Sequence, residues 1–228
     1  MQLIFVLVEP QVAENIGGAA RALNTMGFSQ LRIINSQLHH EDKARWLAHG
    51  SWDILEGVEE FNDLAAAVSD CDLVIGTTAK PRGEFHDLHT PEQLKLVIDA
   101  KLGIVDRIAL VFGREDRGLS NQQLDCCDLL TSIPLANPYP SLNLSQAVML
   151  YAYSLSSFEP IQRHIKPSKN EDGQLHALKQ RVAVLIDDAG YDPESKLQRW
   201  AQERMARLNS EDVHFLHTVC SALERRRS

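Results

Sequence analysis

Five short runs rich in branched aliphatic residues recur along the first 134 positions: LIFVLV (3 to 8), LRIIN (31 to 35), LVIGTT (73 to 78), IALVFG (108 to 113) and LLTSIP (129 to 134). They lack the strict alternation of a half-exposed strand, so they predict strands covered on both faces, as in a parallel sheet. Between them helical spacing takes over. Ile16, Ala19, Ala20, Leu23 and Met26 share one face of a helix over 16–26, and PEQLKLVIDA (91 to 100) opens with a proline suited to a first helical turn. This alternation predicts an α/β fold built on an open parallel sheet.

An apolar run, VMLYAYSLSSF (148 to 158), is followed by EPIQRHIKPSKNEDGQ, whose two prolines, glycine and mixed charge predict a linker. Three helical stretches come next. Leu175, Leu178, Val182 and Leu185 form one apolar stripe and Val213, Leu216, Cys220 and Leu223 another. Between them Asp192-Pro193 is a cap and first-turn pair before Leu197, Trp200 and Leu208. The expected organisation is an α/β domain over 1–160, a linker over 161–172 and a small helical domain over 173–228.

The opening MQLIFVLV has no basic segment, meets Glu9-Pro10 at once, and is far short of the roughly 20 residues of a membrane helix. It predicts a first strand. Cys71, Cys126, Cys127 and Cys220 show neither a C-x-x-C pair nor Cys/His ligand spacing, so a reduced cytoplasmic protein without disulfides or a metal centre is expected. The formal charge of −8 argues against a general nucleic-acid coat. It does not exclude a local basic site: Arg21, Lys80, Arg82, Arg114 and Arg117 all fall at or near the ends of expected strands. The tail is nearly neutral, with 11 Lys and Arg against 10 Asp and Glu over 164–228.

Ligands of open parallel sheets bind beyond the carboxyl ends of strands, and three segments there carry unusual chemistry. In VEPQVAENIGGAARALNTMGF (8 to 28), Asn15 can cap the helix and leave its N–H groups for an anion. Gly17 and Gly18 let another molecule approach the helix backbone, and Arg21 interrupts small apolar residues. In LVFGREDRGLSNQQL (110 to 124), Gly113 allows close backbone approach, four charges from Arg114 to Arg117 precede Gly118, and Ser120 or Asn121 can cap a short helix. In ANPYPSLNLSQAV, Pro138 and Pro140 stiffen the entry, and Ser141 or Asn143 can cap an apolar helix. Capping needs only one of the two. In GTTAKPR (76 to 82), Thr77 and Thr78 end a strand, where threonines are either β-formers or pocket lining.

Together, NIGGAAR (15 to 21), LVFGREDRG (110 to 118) and SLNLSQA (141 to 147) resemble the three motifs of the SpoU branch of the SPOUT RNA methyltransferases, most of all the TrmJ-type and LasT-type tRNA/rRNA methyltransferases. The resemblance covers about residues 1 to 158; the helical tail carries no comparably specific motif. It implies a sheet whose C-terminal part is threaded into a trefoil knot, an S-adenosylmethionine pocket, and a homodimer. By motif match the cofactor residues are Thr77, Thr78, Ala79, Gly113, Gly118, Ile133, Ser141, Leu142 and Asn143. Asn15, Arg21, Glu115 and Asn143 match catalytic or substrate-side residues, and Arg21, Lys80, Arg82, Arg114 and Arg117 are the expected RNA contacts. The tail residues Lys166, Lys169, Lys179, Arg181, Arg199, Arg204 and Arg225 to Arg227 are expected to add others.

The implied reaction is methyl transfer to a ribose 2′-hydroxyl, in tRNA before rRNA, with no DNA or membrane partner. Because a guanidinium is not normally deprotonated, Arg21 is expected to hold phosphate and stabilise oxyanion charge rather than act as base. Two rivals stand beside this reading. One is a related RNA-binding protein without turnover. The other is a Rossmann-type dinucleotide enzyme, disfavoured by the missing G-x-G-x-x-G and by Asn35 where an acidic residue would close the second strand.

Overall fold

The five apolar runs form strands β1 (Gln2–Val8), β2 (Leu31–Ile34), β4 (Leu73–Thr77), β6 (Arg107–Phe112) and β7 (Leu129–Thr131) of a computed structural model. It describes residues 1–79, 88–137, 141–156, 173–192 and 195–225. Two shorter strands, β3 (Glu59–Phe61) and β5 (Leu88–His89), complete the sheet, whose order is β3-β2-β1-β6-β4-β7-β5. Every neighbouring pair is parallel. The sequence pattern missed both edge strands because an edge position does not require a continuous apolar run: Glu59 and Glu60 are exposed.

Side chains of β1 divide between two cores, as a period of two requires. Phe5 and Leu7 join Leu31, Ile33, Leu73, Ile75, Leu110 and Phe112 on one face. Ile4, Val6 and Val8 join Ile34, Val74, Ala109, Val111 and Leu130 on the other. The first face is covered by α1 (Ala13–Thr25), α2 (Asp42–Ala48), α3 (Trp52–Glu56), α5 (Pro91–Asp99) and α7 (Leu144–Leu155), the second by α4 (Leu64–Val68) and α6 (Asn121–Asp125). Pro91 opens α5 as expected, and Thr90 and Gln93 close a reciprocal capping box around it.

The tail folds as α8 (Gln174–Asp188), α9 (Lys196–Met205) and α10 (Ser210–Arg225). Its buried face does not form a core of its own: Leu175, Leu178, Met205, Val213 and Cys220 belong to the same cluster as the sheet. Two lysines fasten it. Lys179 Nζ donates to the Asp128 carboxylate at 2.6 Å and to the Asp72 carbonyl at 2.9 Å, and the buried Lys101 donates to the Leu208 carbonyl at 3.0 Å. Residues 157–172, which hold the expected linker, lie outside the described residues.

Several expectations about helix ends are corrected. Asn15 does not cap α1, which begins at Ala13 after Val12, so Asn15 is already helical and its side chain is released for other contacts. The cap of α9 is Ser195, whose hydroxyl accepts from the Gln198 N–H, instead of Asp192. Pro193 lies outside the described residues. Trp200 of α9 is 51% exposed, with the Arg204 guanidinium over its ring.

Candidate active site

At the carboxyl ends of β4, β6 and β7 a cavity of about 530 Å³ opens. That volume suits a ligand of cofactor size. Three segments wall it: Thr77–Ala79 after β4, Gly113–Leu119 after β6, and Ile133, Ser141 and Leu142 in the passage from β7 to α7. Phe112, Leu144, Ala147 and Tyr151 close its apolar side. Eight of the nine expected cofactor residues therefore meet in one space. Asn143 stands outside the lining.

The walls are fixed by backbone and hydroxyl contacts. Thr77 Oγ1 donates to the Val111 carbonyl at 3.0 Å, and the Thr78 N–H donates to the Thr131 carbonyl at 3.0 Å. Tyr151 Oη donates to Thr131 Oγ1 at 3.1 Å, and that hydroxyl passes its own proton to the His89 carbonyl at 2.8 Å. Burial holds the Tyr151 phenol well above its ordinary range, so it stays protonated. Gly113 is required by its own loop: a Cβ there would lie 2.2 Å from the Gly118 carbonyl carbon and the Leu119 nitrogen. Gly118 has φ +70°, a conformation open to glycine at little cost.

Beside the cavity, Asn143, Asn15 and Glu115 form a directed chain. Asn143 Oδ1 accepts from the Ser145 N–H at 2.8 Å and caps α7. Its Nδ2 donates to Asn15 Oδ1 at 2.8 Å, and Asn15 Nδ2 donates to Glu115 Oε1 at 2.9 Å. Glu115 Oε2 accepts from the Gln11 N–H at 2.9 Å. A carboxylate only accepts, so neither amide can flip without breaking the chain. Asn143 thus caps α7 and ties the third motif to the first.

The same contacts revise two readings of the first motif. The Asn15 side chain, expected to cap α1, instead donates to the Glu115 carboxylate, which also accepts from the Gln11 N–H ahead of the helix. The glycines admit neighbouring helices of this chain, not another molecule: a Cβ on Gly17 would lie 2.1 Å from the Ala44 carbonyl oxygen of α2, and one on Gly18 would lie 2.9 Å from Ser145 Cβ of α7.

The expected RNA residues separate. Arg21 is exposed on α1, six residues beyond Asn15, or about 9 Å along the axis. Among the described residues its guanidinium has no hydrogen-bond partner, and it does not line the cavity. Arg114 does line it, but is committed inside the protein: Nε and Nη2 donate to Asp116 at 2.9 and 3.1 Å and Nη1 to Glu9 at 3.1 Å. Arg117 Nη2 reaches Glu9 at 3.5 Å while its side chain remains 63% exposed. Lys80 and Arg82 lie outside the described residues, as do Lys166, Lys169, Arg226 and Arg227. In the tail, the partly buried Lys179 pairs with Asp128, and Arg181 is held by Glu224, Ser221 and His217.

The sequence reading passed over two contributors. Glu9 takes φ +46° at the end of β1 and receives both loop arginines; a strained non-glycine conformation leaves no mark in composition. Tyr151 was counted only as part of an apolar helix, although a buried tyrosine needs a partner for its hydroxyl.

Residues 2–153 match the model of the SpoU rRNA methylase family, and residues 172–227 match that of the tRNA/rRNA methyltransferase LasT, C-terminal domain, which supplies the likeness the tail lacked on motifs alone. The Escherichia coli protein named uncharacterized tRNA/rRNA methyltransferase LasT is 42% identical over 226 residues, covering 99% of this chain and 98% of its own. The tRNA (cytidine-2′-O-)-methyltransferase TrmJ of Methanocaldococcus jannaschii is 36% identical, covering 84% of each chain. Among solved structures, TrmJ from Zymomonas mobilis superposes with a TM-score of 0.70 at 28% identity, over 98% of this chain and 100% of that one. With the motif residues gathered around one cavity and the family model spanning most of the α/β sheet, this chain belongs to the SpoU rRNA methylase family.

Proposed function

We propose that this protein transfers a methyl group from S-adenosylmethionine to a ribose 2′-hydroxyl of tRNA. The observation that carries the reading is the convergence of Thr77, Thr78, Ala79, Gly113, Gly118, Ile133, Ser141 and Leu142 on one cavity with Glu115 in its wall. The cavity fits the cofactor in kind: apolar side chains on one side suit an adenine ring, and loop backbone on the other suits its polar edge and ribose. When bound, the sulfonium supplies an activated methyl group. The protein's own tasks are positioning and help with a weakly acidic hydroxyl.

Tyr151 and Leu144 keep the floor apolar, and the Thr77–Ala79 and Ser141–Leu142 backbones orient the ligand. The Asn143–Asn15–Glu115 chain holds the first and third motifs in register at the cavity's edge. Arg21, exposed and uncommitted, takes the target phosphate and stabilises charge developing on the attacking oxygen, a task suited to a planar, permanently charged guanidinium. Arg117 contributes a second phosphate contact. The archaeal relative's named activity favours tRNA over rRNA. The free thiols of Cys71, Cys126, Cys127 and Cys220 support a reduced, cytoplasmic setting. Among the described residues no helix is long and apolar enough to cross a membrane. Leu150 and Tyr153 leave apolar surface on α7 exposed, which supports the homodimer, and the trefoil threading belongs to the same proposal.

Methyl transfer from labelled S-adenosylmethionine to total tRNA and total rRNA tests this. Label in tRNA that survives as an alkali-resistant dinucleotide is the expected result; no incorporation into either RNA overturns the enzymatic reading. Arg21→Lys keeps a charge but loses the planar fork, and is expected to slow turnover at least tenfold while S-adenosylhomocysteine binding is unchanged.

A further inference from the structure

At the opposite edge of the sheet, away from the cavity, a turn over Leu38–His40 follows β2 and lies against β3. His39 Nε2 is 3.3 Å and His40 Nε2 3.1 Å from the same carboxylate oxygen, Glu60 Oε1. The two ring centroids lie 3.9 Å apart, with their planes tilted by 40°. Gln37 Nε2 steadies the other oxygen of Glu60 at 3.5 Å.

The His39 side chain is 2% exposed, yet its Nδ1 has no hydrogen-bond partner, so the fold itself gives little reason to bury an imidazole there. Without a cation, one carboxylate oxygen must accept from two closely set rings. Charging both rings would make that close pair repulsive. Around a tetrahedral zinc ion with ligand bonds of about 2.0–2.1 Å, ligand atoms lie about 3.3 Å apart. Both nitrogen-to-oxygen separations fall close to that spacing, and two imidazoles with one carboxylate are ligands suited to a borderline divalent ion.

We propose that His39, His40 and Glu60 bind a divalent transition-metal ion, with solvent completing its coordination. The site departs from the expectation of no metal centre, which rested on the cysteines and did not weigh the adjacent histidines. Its ion ties the turn to the edge strand β3. An open fourth position and the missing acceptor for His39 Nδ1–H make it weaker than a closed four-ligand structural site. The proposal is independent of methyl transfer.

Calorimetric titration of the full chain with Zn²⁺, in a non-chelating buffer, is the test. One ion per chain is expected, with affinity falling at least tenfold in His40→Ala and in Glu60→Gln. Both side chains are exposed, so each variant should keep the metal-free Tm of the wild type. Zn²⁺ should raise the wild-type Tm and leave both variants unmoved. His176→Ala, in the tail, should bind as the wild type does. Absence of binding, binding undiminished in both site variants, or binding abolished by His176→Ala would each overturn the proposal.

Discussion

Asn143 shows how one side chain serves local structure and the site together. Its oxygen satisfies the first turn of α7, and its nitrogen orders Asn15 and, through it, Glu115. The two tasks can be separated. Asn143→Asp keeps the capping oxygen, so stability should change by no more than about 1 kcal/mol. It replaces a donor by an acceptor facing Asn15 Oδ1, and Asn15 cannot turn round without presenting that oxygen to Glu115. Methyl transfer should therefore fall at least tenfold while thermal denaturation barely shifts; equal losses in both would reduce Asn143 to a cap. Asn143 was legible as a polar residue heading an apolar helix. Its partner 128 positions away was not, because no local pattern encodes that distance.

At the scale of elements, α1 owes its small residues to the helices on either side of it. The Gly17 site abuts main chain of α2, whereas the Gly18 site abuts a serine side chain of α7. Main chain and Cβ alike yield only by moving a helix, so the size of the overlap decides: 2.1 Å at Gly17 against 2.9 Å at Gly18. Gly17→Ala should thus be destabilising by about 2 kcal/mol or more, within the range for overpacked cores. Gly18→Ala should cost less, since alanine also improves helix propensity by about 1 kcal/mol. Urea denaturation of the two variants checks the order, and a larger loss in Gly18→Ala would contradict it. From sequence the glycines were legible as sites of close approach. What approaches was supplied by the packing.

Over the whole molecule, the tail is bound to the sheet by a buried polar seam around Lys101, Lys179 and Asp128. Desolvation, with the nearby Lys179 charge as a lesser cause, lowers the Lys101 ammonium to about 8, and Asp128 offsets this only in part. In the unfolded chain the same group titrates near its ordinary value of 10.5. The unfolded state therefore binds more protons between pH 8 and 10.5, and stability from this group rises with pH across that window, then is flat below it. The difference amounts to about 3 kcal/mol at most. Lys101→Met removes the titration while leaving the Leu208 carbonyl without its donor. Relative to the variant, the wild type should gain stability between pH 8 and 10; a parallel pH profile would show that Lys101 stays charged when buried. Removing the tail altogether is a poor test of its role, because Leu175, Leu178 and Val213 share the sheet's core.

The sequence by itself determined the parallel α/β sheet, the five inner strands and the three helical tail segments, and the resemblance of its motifs to a known family pointed to eight of the residues that line the cavity. Each of these follows from local periodicity, from turn and capping chemistry, or from motifs that are contiguous in the chain. Only the tertiary structure decided which charges are spent inside the protein, as with Arg114, Lys179 and Arg181, and which remain exposed, as with Arg21 and Arg117. It also decided that Glu115 is the partner of Asn15 and that the tail completes the main core. The reason is physical: a side chain's type fixes what it can bond, but its partner is set by which distant strand ends the fold brings within about 3 Å.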